Sequence, residues 1–230
     1  MSFRYYLYIS DTKVDMLLSQ IDPGYRRAGT AEFSLKLPFV GAKRNVESPA
    51  ADQVGRLERV TRYLDEHGDV GSVDEPGQFF RGLLPMQWGL LPTDGGQVMV
   101  YFGGRTENTI VGLGGSSFHV LGGGPPAAQP PPHVFGGMSN MPSLLSGLVD
   151  AVDADEADRT PLTAGASLDA ADTQALASVH RAGGRLRGPA QNVEFLAKRL
   201  LSGPSPYPEL DGRPGMTVLL GSPLYVALVD

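Results

Sequence analysis

The final fifteen residues, Met216 to Asp230, hold two apolar β-rich runs on either side of Gly221-Ser222-Pro223. A tail of that composition must be buried, and the simplest way to bury it is to pair it with strands formed much earlier in the chain. Such a long-range β contact closes the fold and argues against two independent domains. The expectation is therefore that both extremities share one hydrophobic interior.

The front of the chain supplies material for that pairing. Tyr5 to Ile9 reads as a strand running into Ser10-Asp11, both good helix N-caps, and Val14, Leu17, Leu18 and Ile21 then recur at helical spacing. Residues 31–37 alternate like a half-buried strand, and residues 39–46 could pair with it. Ser48-Pro49 opens a second helix whose inward stripe is Val54, Leu57, Val60, Thr61 and Leu64, ending at Gly68. His67 sits exposed in its last turn. A meander follows, over Met86–Leu91, Val98–Phe102 and Thr109–Leu121, separated by turns at residues 93–96 and 105–108. Trp88, Tyr101 and Phe102 read as its core.

Gly122–Pro142 is dominated by glycine and proline, which sustain neither helix nor central strand, so it reads as a linker or long loop. Beyond it the spacing predicts helices over 144–152 and over Leu168–Ala182, and a third opened by Gly188-Pro189, carrying Val193, Phe195, Leu196, Leu200 and Leu201 to Gly203-Pro204. The fold class expected is α+β: a mixed, largely antiparallel sheet with a central meander, packed by helices and closed by C-terminal strands. Residues 1–230 form a single domain on this reading, with loop 122–142 between a β-rich part (1–121), a helix-rich part (143–204) and closing strands (216–229). Val111–Val120 also echoes Val218–Val226, as though the two held related places in the sheet.

Composition excludes several chemistries. The 230 residues include no cysteine, which removes disulfides, thiolate nucleophiles and the common structural zinc sites. With 25 acidic against 19 basic residues the net charge is -6, so nucleic acid and membrane are not expected partners. An N-terminal apolar run far shorter than a signal-peptide core and the lack of any membrane-length apolar run place the chain in the cytoplasm. The four histidines, at 67, 119, 133 and 180, never fall at the i, i+4 spacing of a helical metal site, and neither a metal nor another cofactor is expected. The acidic run Asp150–Asp158 lacks the calcium-loop pattern.

Gly112-Leu-Gly114-Gly115-Ser116 brings glycines together as phosphate-cradling loops do, but Ser117 stands where a dinucleotide fingerprint needs glycine, and Phe118-His119-Val120 continues like a strand. A glycine bulge is the simpler reading. No Gly-x-Ser-x-Gly elbow is present. The polar residues at strand exits are Ser10, Asp11, Lys13, Arg105, Ser116, His119 and Ser222, and they form the candidate ligand-binding set. Ser10 and Asp11 also suit a helix cap, Ser222 a turn, and His119 a general base beside Ser116. Arg181, Arg185, Arg187, Lys198 and Arg199 form the one basic cluster on which nucleic-acid binding could rest.

Three phrases, Tyr5–Leu17, Val193–Leu201 and Val218–Ala227, together resemble an uncharacterised family of actinobacterial proteins. The resemblance implies a link to bacterial conflict or signalling systems and transfers no catalytic residue. The function expected is a non-catalytic sensor or protein-interaction module with a protein partner. The alternative is a domain that binds, or an enzyme that acts on, a small anionic phosphorylated ligand through Lys13, Arg105, Ser116 and His119.

Overall fold

The computed structural model describes residues 4–22, 49–92, 98–122, 148 and 170–229. They divide into two compact units, residues 11–68 and residues 1–10 with 69–230. The elements expected at 31–37, 39–46 and 144–152, the turn at 93–96, loop residues 123–142 and the acidic run at 150–158 lie outside the described residues.

The smaller unit is helical. Helix α1 (Asp11–Ile21) and helix α2 (Pro49–His67) carry the stripes their spacing predicts: Val14 and Leu18 are buried on one, Leu57, Val60 and Leu64 on the other. Polar contacts link the two helices. Arg56 of α2 pairs with Asp15 of α1, with Asp11 at 3.3 Å and with Asp52 at 3.0 Å, while Gln53 donates to Asp11 at 2.9 Å. One guanidinium with five donors can satisfy three carboxylates where a lysine could not. His67 stacks on Tyr63 one turn back, ring centres 4.6 Å apart.

The larger unit is built on a seven-stranded mixed sheet: β1 (Tyr5–Ile9), β2 (Val70–Gly71), β3 (Phe79–Pro92), β4 (Val98–Arg105), β5 (Thr109–Ser116), β6 (Gln191–Pro204) and β7 (Thr217–Leu228). The expected meander is β3, β4 and β5, paired antiparallel in sequence. Strand β3 spends its first half, Phe79–Met86, on β6 and its second, Met86–Pro92, on β4. Pro85, which has no N–H to give, sits where the strand changes partners. Because β6 also pairs with β7, and β7 runs parallel to β5, the strands close into a ring β3-β4-β5-β7-β6-β3. Bulges between Leu196 and Ala197 and between Arg199 and Leu201 supply the curl that closure needs.

Counted along the ring, the order 1-2-3-5-4 with one parallel pair is the connectivity of an OB-type barrel. The helix α3 (Ala170–Arg185) enters between the third and fourth ring strands.

Residues alternate in facing. Phe80, Met86, Phe102, Leu113, Phe195 and Leu219 point inward and fill the barrel, leaving it a packed core. Met99, Tyr101, Val218 and Leu220 point outward and meet Leu176, Val179 and Leu186 of α3. Tyr101 donates its hydroxyl to the Val179 carbonyl at 3.0 Å, fastening helix to sheet. Burial raises the Tyr101 phenol pKa well above its ordinary value, so this donor keeps its proton.

The tail does return to the front: β7 pairs antiparallel with β1, Tyr5 opposite Leu228 and Ile9 opposite Tyr225. Arg4 reaches past β7 to grip Glu194 of β6 through two bonds at 2.9 and 2.7 Å, and Tyr225 donates to the same carboxylate at 2.6 Å. Burial alone would raise the Glu194 pKa, but Arg4 and Tyr225 together hold it below the usual value.

Two expectations are corrected. Residues 191–204 form strand β6, with no helix opened at Gly188-Pro189. Its apolar residues are consecutive enough to satisfy either period, because the two bulges interrupt the strand's alternation. The last residues form one continuous strand, with Gly221-Ser222-Pro223 inside it, where two separate runs were expected. The echoing segments lie side by side as the parallel pair β5 and β7, Val111 opposite Leu219.

Gly221 shows why a small residue sits mid-strand: a β-carbon there would stand 2.5 Å from the buried Phe80 ring. Gly221→Ala should therefore destabilise by about 1–3 kcal/mol in urea titration. Gly183→Ala, on a helix with open space at that position, should be neutral or stabilising by up to about 1 kcal/mol.

Candidate functional site

A groove of about 810 Å³ opens where the last turns of α3 approach the barrel. Its described walls come from five places in the chain. Strands β3 and β4 contribute Pro85, Gln87 and Arg105, and β5 contributes Ile110 and Val111. Helix α3 and the link beyond it contribute His180, Arg181, Arg185 and Arg187, and the β6–β7 connection contributes Tyr207, Leu210 and Asp211. Glycines 103, 104, 183 and 184 keep the walls low.

Local structure explains the placement. Arg105 ends β4, and the turn after it is pinned by Asp74, which accepts from Thr106 and Thr109 hydroxyls at 2.7 and 2.8 Å. Residues 205–216 are closed into a loop by the Ser205 N–H donating to the Met216 carbonyl at 2.9 Å. Gly212, at φ +75°, then lets the chain turn sharply just after Asp211.

At the groove Asp211 and His180 form a pair, Nε2 to Oδ1 at 3.0 Å, with the His180 ring set edge-on to Tyr207 at 5.2 Å. Asp211 is 2% exposed and Tyr207 3% exposed. Asp211 Oδ2 and Tyr207 Oη are buried and have no hydrogen-bond partner among the described residues. Each such orphan costs about 1–3 kcal/mol, so both atoms favour a partner arriving from outside the chain. Among the described residues the lining holds four arginines and one carboxylate, on a chain of net charge -6.

Of the seven residues expected to form a site, only Arg105 lines this groove. Ser10 is buried and donates its N–H to the Leu224 carbonyl at 2.8 Å. Asp11 and Lys13 belong to the helical unit, Asp11 in the Arg56 network and Lys13 buried on α1. Ser116 ends β5 and caps a short 3-10 turn, Ser117–His119, accepting from the Phe118 N–H at 3.4 Å. His119 lies in that turn, where a continued strand was expected, edge-on to Tyr8 at 5.8 Å. Ser222 is buried and donates to the Gly114 carbonyl at 3.4 Å. Arg105 is paired with Ile110 and Ser116 with Met99, so they stand at opposite ends of the β4–β5 ladder, roughly 20 Å apart.

Conversely, Arg181, Arg185 and Arg187, grouped in the sequence as a nucleic-acid cluster, join Arg105 in the groove. Lys198 and Arg199 lie on β6 outside it, Arg199 donating to the Pro76 carbonyl at 2.9 Å. His180, Tyr207 and Asp211 carried no periodicity or motif that would have singled them out. Among the described residues no group of three or more His, Asp or Glu side chains could hold a metal ion, and no helix is long and apolar enough to cross a membrane.

A model of a family of unknown function, DUF7019, matches residues 4–230. The chain belongs to this family. No curated protein and no solved structure matches it. Membership in DUF7019 agrees with the resemblance read from the two ends of the chain and assigns no activity to the groove.

Burial pushes the Lys13 amine from its ordinary 10.5 down to about 7. The folded form therefore binds this proton more weakly than the unfolded chain does. The resulting penalty is full below pH 7 and fades as pH rises toward 10.5, so stability should climb across that window. Tyr101 and Tyr225, whose folded pKa values are raised, reverse the trend above about pH 10, where the unfolded chain loses those protons. Lys13→Met should raise thermal stability at pH 7 by about 2–4 kcal/mol and gain less at pH 9, measured by melting at both.

Proposed function

We propose that this DUF7019 protein is a non-catalytic sensor module that binds a small phosphate-bearing anion in the arginine groove. One observation carries the reading: Arg105 from β4 and Arg181, Arg185 and Arg187 from α3 and its exit meet on one cavity, though they come from distant parts of the chain. Guanidinium groups present paired donors that match phosphate oxygens, and several around one cavity fix an anion's orientation as well as its charge. Among the described residues of the lining there is no serine, threonine or lysine to serve as a nucleophile, which favours holding over covalent turnover.

The OB-type connectivity by itself points elsewhere, to oligonucleotides laid across the second and third ring strands. Here α3 packs on the outer face of those strands, β4 and β5, and Tyr101 is fastened beneath it. A small ligand at the helix's end suits this arrangement better than a strand of nucleic acid. A second reading, an enzyme acting on a phosphorylated ligand, draws on the His180–Asp211 pair, since a carboxylate-held imidazole can move a proton on a bound ester. A protein partner that reads occupancy, and a place in a conflict or signalling system, belong to the same proposal.

Calorimetry with inorganic pyrophosphate tests the site. The wild-type chain should bind it, and Arg105→Met with Arg187→Met, both at exposed positions, should weaken binding about tenfold or more, each lost charge-assisted bond being worth about 1.5–3 kcal/mol. Arg62→Met on α2 should leave affinity unchanged. Equal affinity in all three proteins, or none in the wild type, defeats the proposal. Release of phosphate from a bound ester over hours would move the choice to the enzyme reading.

A further inference from the structure

We infer that the ligand is a phosphorylated polyol or sugar, held at its phosphate by the arginines and at a hydroxyl by Asp211 and Tyr207. The inference rests on the anion-binding reading and adds the chemistry of the ligand's other end. Asp211 spends Oδ1 on His180 and leaves Oδ2 without a partner among the described residues, and Tyr207 Oη is in the same position. Both residues line the groove and are almost wholly buried.

The two atoms restrict what can satisfy them. A carboxylate oxygen only accepts, so the incoming group must donate. A second phosphate or a carboxylate is thereby disfavoured beside Asp211, because it would bring acceptors and like charge. A phenol both donates and accepts, so the group beside Tyr207 gains most if it does the same. An alcohol has both capacities, whereas an ammonium only donates. Neighbouring hydroxyls of a polyol would serve both atoms at once.

The rest of the lining agrees. Ile110 and Leu210 offer apolar contact for a carbon skeleton. Among the described residues of the wall the aromatic ring besides His180 is Tyr207, which at 3% exposure offers no open face for a nucleobase to stack upon. The volume of about 810 Å³ falls in the range of small-molecule pockets.

The probes are inorganic phosphate, n-butyl phosphate and ribose 5-phosphate, titrated calorimetrically into the full chain. Ribose 5-phosphate should bind at least tenfold tighter than n-butyl phosphate. Tyr207→Phe keeps the ring and removes the hydroxyl, and it should shrink that gap to under threefold while leaving n-butyl phosphate affinity unchanged. Asp211→Asn should shrink the gap as well, with melting used to confirm that the loop remains folded. If the two esters bind equally to the wild type, the hydroxyl subsite is overturned and the anion site stands. A gap that survives Tyr207→Phe intact overturns the role given to that residue. If none of the three probes binds, the anion reading itself fails and this inference falls with it.

Discussion

Everything in the larger unit depends on the hydrogen-bonding capacity of β7. A strand has two edges, and β7 uses both along nearly its whole length: β6 takes one, while β5 takes the first half of the other and β1 the second half. Without it the meander would be an open sheet with a bare edge at β5, and β1 would have no ladder to join. The parallel pairing of β5 with β7 also forces the chain to travel back along the barrel between them. That return contains α3, and so the same constraint that closes the ring delivers a helix to its outer face.

The helix is seated by fit as much as by hydrophobicity. Gly112 lets the Tyr101 hydroxyl and Val179 approach the sheet, a β-carbon there falling 2.2 Å from the one and 2.7 Å from the other. Gly103 similarly lets Leu186 and the backbone of Gly183 come close. Seated this way, the C-terminal turns of α3 overhang the end of β4 and leave a groove between them. The barrel interior is filled by its own side chains, so the groove lies outside the packed core.

Much of this was legible in the residues. The apolar tail announced its burial and its partner, the meander announced itself through turn residues, and the helical stripes of α1 and α2 contain the buried apolar positions Val14, Leu18, Leu57, Val60 and Leu64. What periodicity could not separate was β6, because bulges at Leu196/Ala197 and Arg199/Leu201 break its alternation and leave apolar residues at spacings a helix would also satisfy. The site was harder still. Arg105 and the cluster at 181–187 were each visible as basic residues, but nothing local says that a strand end and a helix end meet. Asp211 and Tyr207 sit in a loop shaped by Gly212 and by the Ser205–Met216 closure, and their pairing with His180 spans the whole of β6. Such a contact exists only after the ring has closed.

A purely structural account of the arginines would have them offset the negative end of α3. A helix C-terminus carries about half an elementary charge, and one cation in the last turn suffices to balance it. Arg181 donating to the Ala177 carbonyl and Arg187 to the Gly184 carbonyl already do this. Arg105 is on β4 and has no place in that account. Among the described residues, four arginines and one carboxylate line one cavity on a chain of net charge -6. Ions in solvent screen distant charges within about 10 Å, so the negative surface elsewhere weighs little inside the groove. That local balance is what the proposed anion site rests on.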